Sequence, residues 1–179
     1  MNKSLKTTAA MLLLAALFSC EASKPAQATI TEPKEVKAEK MLLGKQSLQN
    51  VSQAPYSEWY QPEYDGYKTD AATMQKLKEA DLYKYQITTF LGTWCEDSHR
   101  EFPRFVKILQ EAGYPEQQLE IIAVDRTKSA PNGEEVPFDV HKVPTFIIQK
   151  DGKQIGRIIE YPKSGFLEKD LLEIINKAQ

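Results

Sequence analysis

The spacing of apolar and polar positions predicts alternating helices and strands from about residue 70 onward. Thr69 or Asp70 can cap a first helix, whose apolar face carries Met74 and Leu77. The elements predicted after it are a strand at 82–91, a helix from Cys95 to about Gly113, strands at 119–124, 143–149 and 154–159, and a last helix at about 167–175. This order predicts an α/β fold in which a central mixed β-sheet is flanked by helices on both faces.

The region before residue 70 is less regular. Residues 47–52 are predicted to form a short edge strand. Residues 55–67, called here the aromatic segment, carry four tyrosines and one tryptophan among polar residues. Aromatic side chains with a polar atom pack well over the rim of a core, so we expect this segment to cover the core rather than to bind a ligand.

The first 45 residues have the organisation of an export signal followed by a linker. Lys3 and Lys6 precede an apolar run at 9–18, which ends at Ser19 and Cys20. This order resembles a bacterial lipobox and predicts a lipoprotein signal peptide at 1–19 with lipidation of Cys20; ordinary secretion with cleavage near Ser19 is the alternative. Residues 20–45 are predicted to be a flexible tether, and 46–179 a folded domain with its core at about 70–179.

Composition narrows the possible classes of protein. Apolar residues make up 41% of the 179 residues, charged residues 27%, and the net charge is -2. These values are typical of a globular protein, and the near balance of charge argues against a nucleic-acid partner. With two cysteines and two histidines, the chain has too few ligands for a zinc ribbon and too few thiols for a disulfide scaffold. Cys95 is then the one cysteine of the folded domain.

Candidate chemistry lies at 92–98, where a predicted strand ends and a helix begins. The positive end of a helix favours the thiolate form of a cysteine, whereas the neighbouring Glu96 and Asp97 oppose it. A second segment, Val143-Pro144-Thr145, stands at the entrance of a later strand.

These residues resemble known motifs. The stretch 92–103 resembles the thioredoxin superfamily motif, most closely the pattern G-T-W-C-E-x-C-x-x-E-x-P of the membrane-anchored TlpA/ResA type. The matching residues are Gly92, Thr93, Trp94, Cys95, Glu96, Glu101 and Pro103. Segment 143–145 resembles the cis-proline loop of that superfamily, and 151–153 its last hairpin. The resemblance covers about residues 70–179 and implies a thioredoxin-like fold.

Two departures from the pattern bear on mechanism. The second cysteine of C-x-x-C is replaced by Ser98, and the buried acid of the preceding strand by Thr89. A dithiol enzyme attacks with one cysteine and resolves with the other, which Ser98 cannot do. The resemblance therefore implies monothiol thiol–disulfide exchange, with protein or small-molecule thiols and disulfides as partners and with no cofactor.

The resemblance also suggests roles for the neighbouring residues. It implies that Cys95 attacks a substrate held by Val143, Pro144 and Thr145, with Trp94 as a wall of the site. Ser98 either donates a hydrogen bond to the Cys95 thiolate or caps the helix. Glu96 and Asp97 are expected to tune the thiol. Glu101 either relays protons or forms a salt bridge with Arg104 or Lys107.

Two alternatives to exchange chemistry remain open. The first is a redox-inactive binding or chaperone module that uses the same groove. The second is a site for a soft metal ion formed by Cys95, His99 and His141, against which both histidines are ordinary surface residues. In each case the lipobox predicts a lipid-anchored protein on the extracytoplasmic side of a bacterial cell envelope, with the membrane as a further partner.

Overall fold

A computed structural model describes residues 41–178 of the chain. The predicted signal peptide, the lipidation site Cys20 and the tether up to residue 40 lie outside the described residues. The elements within 41–178 are β1 (Gly44–Gln46), α1 (Leu48–Ser52), α2 (Ser57–Gly66), α3 (Ala71–Glu79), β2 (Gln86–Leu91), α4 (Glu96–Glu111), β3 (Leu119–Ala123), β4 (Thr145–Lys150), β5 (Lys153–Ile159) and α5 (Leu167–Asn176). Within this range, no helix combines the length and the apolar character needed to cross a membrane.

The described strands form one mixed sheet in the order β1-β3-β2-β4-β5. Strands β2 and β3 are parallel and are joined by α4, whereas β4 runs antiparallel to both β2 and β5. The short β1 pairs antiparallel with β3. The predicted α/β fold with a mixed sheet is confirmed, as is the order of elements from Ala71 onward.

The region before α2 differs from expectation. The prediction of an edge strand at 47–52 is wrong, because these residues form α1, in which Ser47 Oγ accepts a hydrogen bond from Asn50 N at 3.2 Å. Leu48 and Val51 are buried at helical spacing on one face. The edge strand is instead β1, so residues 44–45, the end of the range assigned to the tether, belong to the sheet.

A smaller difference concerns the predicted strand at 82–91. Its first three residues, Leu82–Lys84, form a 3-10 turn, and the strand begins at Gln86.

The two faces of the sheet are covered differently. All five described α-helices contribute buried side chains to the larger apolar cluster. The smaller cluster is built on Phe90, Ile122 and Ile147, and side chains from the segment between β3 and β4 complete it. The helical element of that segment is a 3-10 turn at Val136–Phe138.

The aromatic segment covers the core, as expected. Tyr60 of α2 is buried and meets Phe102 of α4 edge-on, with ring centroids 6.2 Å apart. Trp59, Tyr64 and Tyr67 pack against the same larger cluster. The segment therefore attaches the N-terminal part of the domain to the helix that follows Cys95.

Candidate functional site

Cys95 lies at the turn between β2 and α4 and is the N-cap residue of that helix. Its backbone N–H donates to the Gly92 carbonyl at 2.9 Å, and its own carbonyl accepts from His99 N at 3.0 Å. The half-buried thiol donates to the Val143 carbonyl, with Sγ and O 3.4 Å apart. The fold thus brings together the two motifs that are 48 residues apart in the sequence.

The Trp94 indole packs tightly against the turn. Its Nε1 donates to the Val124 carbonyl at 2.9 Å, at the end of β3. A Cβ atom at Gly92 would lie 2.6 Å from the indole, closer than real contacts allow. Glycine at 92 therefore lets the Trp94 ring approach the backbone of the turn closely.

Ser98 is buried, and its Oγ accepts a hydrogen bond from Gly92 N at 3.2 Å. A hydroxyl that accepts can still donate, so a bond from Ser98 to a Cys95 thiolate stays a prediction. Cys95 already holds the N-cap position, so the Ser98 side chain, one turn further on, points back to the strand end. Its role in the structure is to tie the strand–turn–helix junction together.

The Val143–Pro144 peptide bond is cis. The Pro144 carbonyl accepts from Glu160 N at 2.7 Å, which fastens the loop to the end of β5. Thr145 is buried and its Oγ1 donates to the Lys142 carbonyl at 2.7 Å, so its side chain supports the loop from within. Of the three residues predicted to hold substrate, it is Val143 whose carbonyl meets the thiol.

The three predicted tuning acids lie in different environments. Glu96 is exposed, whereas Asp97 forms an ion pair with Arg100 at 2.7 Å. Glu101 is only 4% exposed and accepts from Arg100 Nε at 2.6 Å, with Arg104 at 3.6 Å. The hydrogen bond that Arg100 donates to Glu101, together with the one that it donates to Asp97, holds the pKa of its guanidinium above the usual value despite partial burial.

Of the two roles predicted for Glu101, the contacts match the salt bridge with Arg104. Lys107, the other predicted partner, instead donates to the Tyr67 carbonyl at 2.8 Å.

The two histidines do not form a metal-binding group with Cys95. Nε2 of His99 lies 2.7 Å from the Thr93 carbonyl, and the ring stacks on Trp59 at 4.4 Å with planes 10° apart. His141 is exposed and pairs with Asp139 at 2.8 Å. Within residues 41–178, no three His, Cys, Asp or Glu side chains are arranged to hold a metal ion.

Two basic residues beside the site were not predicted. The Arg126 guanidinium lies 5.2 Å from the centre of the Trp94 ring, and Lys128 Nζ lies 5.5 Å from it. Both belong to residues 125–129, called here the cationic loop, which begins two residues after the end of β3. The signal in the sequence is an aspartate at a strand end followed by Thr and Ser, a pattern typical of a side-chain-stabilised turn.

Comparison with known proteins places these features in context. No family model matches the chain. It is 33% identical over 112 residues to thioredoxins of Listeria monocytogenes and Listeria innocua, and the match covers 61% of this chain and 93% of each relative.

Solved structures agree on the fold. A Pseudomonas aeruginosa protein of unknown function superposes with a TM-score of 0.58 at 12% identity, covering 75% of this chain and 94% of the other. An HIV epitope-scaffold superposes with the same score and coverage at 14% identity. At these identities the likeness concerns the fold alone.

Proposed function

The chain belongs to the thioredoxin superfamily, whose fold is of the thiol–disulfide oxidoreductase type, and on that premise we propose that it exchanges disulfides through the single thiol of Cys95. The observation that carries the proposal is the position of this thiol: it stands at the start of a 16-residue helix and 3.4 Å from the Val143 carbonyl. Unpaired N–H groups at a helix start favour an anionic sulfur, which is the attacking species in exchange.

The reaction has two balanced steps. The Cys95 thiolate attacks one sulfur of a substrate disulfide, a new S–S bond forms, the substrate S–S bond breaks, and the other substrate sulfur leaves as a thiolate. Ser98 has no sulfur with which to attack the resulting mixed disulfide. An external thiol therefore attacks it, which returns the Cys95 thiolate and transfers the substrate sulfur to the external thiol.

The substrate is expected to lie along the cis-proline loop as an extended segment. Pro144 has no N–H, and its carbonyl is already used by Glu160. The Val143 carbonyl is thus the backbone group of the loop that faces the thiol, and it can pair with a substrate strand. Trp94 supports the opposite side of the substrate sulfur.

The cellular setting belongs to the same proposal. The lipobox-like order at residues 9–20 supports a lipoprotein anchored through Cys20 on the extracytoplasmic side of a bacterial envelope. Replacing Cys20 with Ser removes the site of lipidation and should release the protein from membranes into the soluble envelope fraction. Membrane retention of Cys20→Ser would contradict the anchor and leave the exchange chemistry unaffected.

The exchange chemistry is tested with the full chain carrying Cys20→Ser, so that Cys95 is the one thiol. Incubation with a disulfide should give a mixed disulfide at Cys95 that dithiothreitol removes, and Cys95→Ala should give none. In insulin reduction with dithiothreitol, turnover should be much lower than for the same chain with Ser98→Cys, which supplies a resolving thiol. A folded protein whose Cys95 forms no adduct would favour the binding-module alternative.

A further inference from the structure

The charges around Cys95 are unevenly compensated. Asp97 is paired with Arg100, Lys142 with Glu160 at 2.7 Å, and His141 with Asp139. Arg126 and Lys128, by contrast, form no close ion pair among residues 41–178, although the charge of Lys128 acts on the nearby carboxylate of Asp125. Because both lie over Trp94, which directly precedes Cys95, residues 125–129 place a net positive charge beside that ring, with two cations against the one carboxylate of Asp125.

The cationic loop is fixed by its own hydrogen bonds. Asp125 Oδ1 accepts from Thr127 Oγ1 at 2.6 Å, from Thr127 N at 2.8 Å and from Ser129 N at 3.0 Å. These bonds, the one from the Thr127 hydroxyl first, hold the pKa of Asp125 below its usual value, so the aspartate stays charged and the turn stays formed. The Asp125 backbone N–H also donates to the Ser129 carbonyl, and the Asp125 carbonyl accepts from the Lys128 N–H.

The fixed loop holds its two cations in place at a conformational cost. Lys128 has a φ of 69°, a left-handed conformation that is uncommon for a lysine, and its Nζ donates to the Arg126 carbonyl at 3.0 Å. Strain of this kind persists where surrounding structure imposes it. The turn therefore sets the backbone positions from which the two cationic side chains extend before any ligand arrives.

On the basis of the proposed function, we propose that the cationic loop selects substrates that carry a carboxylate next to the reacting sulfur. The Arg126 guanidinium can pair with a carboxylate through two parallel hydrogen bonds, and Lys128 adds a second positive charge. Trp94, the residue next to Cys95, supplies the apolar surface over which both cations lie. Glu96, exposed at the helix start, repels anions and so disfavours an acidic substrate group next to itself.

Simple electrostatics sets the size of the effect. A substrate carboxylate within about 10 Å of both cations should react roughly three- to ten-fold faster than a neutral analogue at low ionic strength. The preference should shrink as salt is added, because exposed charges are screened over about 10 Å at 0.1 M. Cationic disulfides should react more slowly than neutral ones for the same reason.

The test uses the full chain with Cys20→Ser and three small disulfides that differ in charge: 3,3′-dithiodipropionate, hydroxyethyl disulfide and cystamine. Mass spectrometry follows the rate at which Cys95 is modified by each. A second arm uses two disulfide-bonded peptides that are identical except for Asp or Asn on either side of the cysteine. The rate ratio between charged and neutral probes is the quantity compared, because it cancels differences in intrinsic thiol reactivity.

The decisive variant is Arg126→Gln with Lys128→Gln. It should bring the ratio close to that of free dithiothreitol with the same probes, whereas Arg126→Lys should keep most of the preference. The matched control is Lys76→Gln with Lys78→Gln, which removes the same net charge from exposed positions on α3 and should leave the ratio unchanged.

The outcomes separate the two proposals. Preference in the small-disulfide arm assigns a small acidic disulfide as substrate, and preference confined to the peptide arm assigns an acidic protein segment. If Cys95 reacts with every probe and the double variant leaves the ratios unchanged, the selection proposal is overturned while monothiol exchange stands. If Cys95 reacts with none, the proposed function itself fails.

Discussion

The charged and polar side chains on the two sides of Cys95 differ in the contacts that they make. On the side of α2 and α4, Arg104 pairs with Glu63 at 2.6 Å and His99 stacks on Trp59. On the side of the cationic loop, Arg126 and Lys128 touch only the face of an indole and backbone within the described residues.

This difference determines which charges are available to attract a ligand. Close ion pairs within the fold leave little attraction for a ligand, whereas cations that exceed the nearby carboxylates in number keep a net positive field for one. We therefore expect substitutions on the α2–α4 side to change stability, and those on the loop side to change substrate preference.

The largest effect is expected from Tyr60→Ala on the α2–α4 side. Loss of this buried ring from the contact with Phe102 should lower the free energy of unfolding by about 3–5 kcal/mol, measured by denaturant titration. Tyr60→Phe keeps the ring and should change it by less than about 1 kcal/mol. In the protein that remains folded, the ratio of the rates at which Cys95 reacts with charged and neutral disulfides should be unaltered. A changed ratio would contradict the assignment of substrate preference to the loop side alone.

Gly92→Ala should change both stability and substrate preference, since the Trp94 ring packs directly against Gly92. The new Cβ would displace the indole and should cost about 1–3 kcal/mol of stability, with loss of the preference for anionic disulfides. Gly66→Ala is the matched control, because a Cβ there meets no atom within 4 Å. If Gly92→Ala behaved like Gly66→Ala in urea unfolding, the tight contact would be disproved.

Thr89→Val is expected to stabilise the protein. Thr89 is fully buried on β2, and its Oγ1 has no hydrogen-bond partner in the structure. Replacing an unsatisfied hydroxyl with a methyl group of similar size should raise the free energy of unfolding by about 1–2 kcal/mol. Thr145→Val removes the hydrogen bond to the Lys142 carbonyl and should therefore lower the free energy of unfolding. An equal decrease in both variants would contradict this account.

The smallest effect concerns the pH dependence of the cationic loop. Because the folded-state pKa of Asp125 is lowered, its contribution to stability is present above the unfolded value of about 3.9 and is lost as pH falls through the lower folded value. The amide NMR shifts of Thr127 and Ser129 should therefore be constant from pH 7 to about 5 and change only in acid. Asp125→Asn should abolish that change, and a transition near neutral pH would disprove it.

How much was predictable depends on whether a feature is local in sequence. The turn at Cys95 and the segment at Val143 could be predicted because a strand end, a glycine and a proline can each be recognised from a few neighbouring residues. The contacts of Trp59 with His99 and of Arg126 with Trp94 join residues 32 to 40 positions apart. No periodicity encodes such contacts, so they emerged only with the fold.

The helix α1 shows a different limit. Its five residues are too few for a period of 3.6 to be distinguished from alternation, and only the capping contact of Ser47 identifies it. The burial of Ser98 was not predicted for a related reason. A serine in the first turn of a helix looks the same in the sequence whether it caps the helix or bonds the end of the preceding strand.

The hydrogen bond from Gly92 to Ser98 also bears on how the protein could be re-engineered. Serine and cysteine differ by one atom, and sulfur accepts hydrogen bonds more weakly than oxygen does. A cysteine at this position would weaken a tie of about 1 kcal/mol while the surrounding fold stays in place. Under the proposed exchange chemistry, we therefore expect Ser98→Cys to turn a protein that retains its disulfide-bonded substrate into one that releases it.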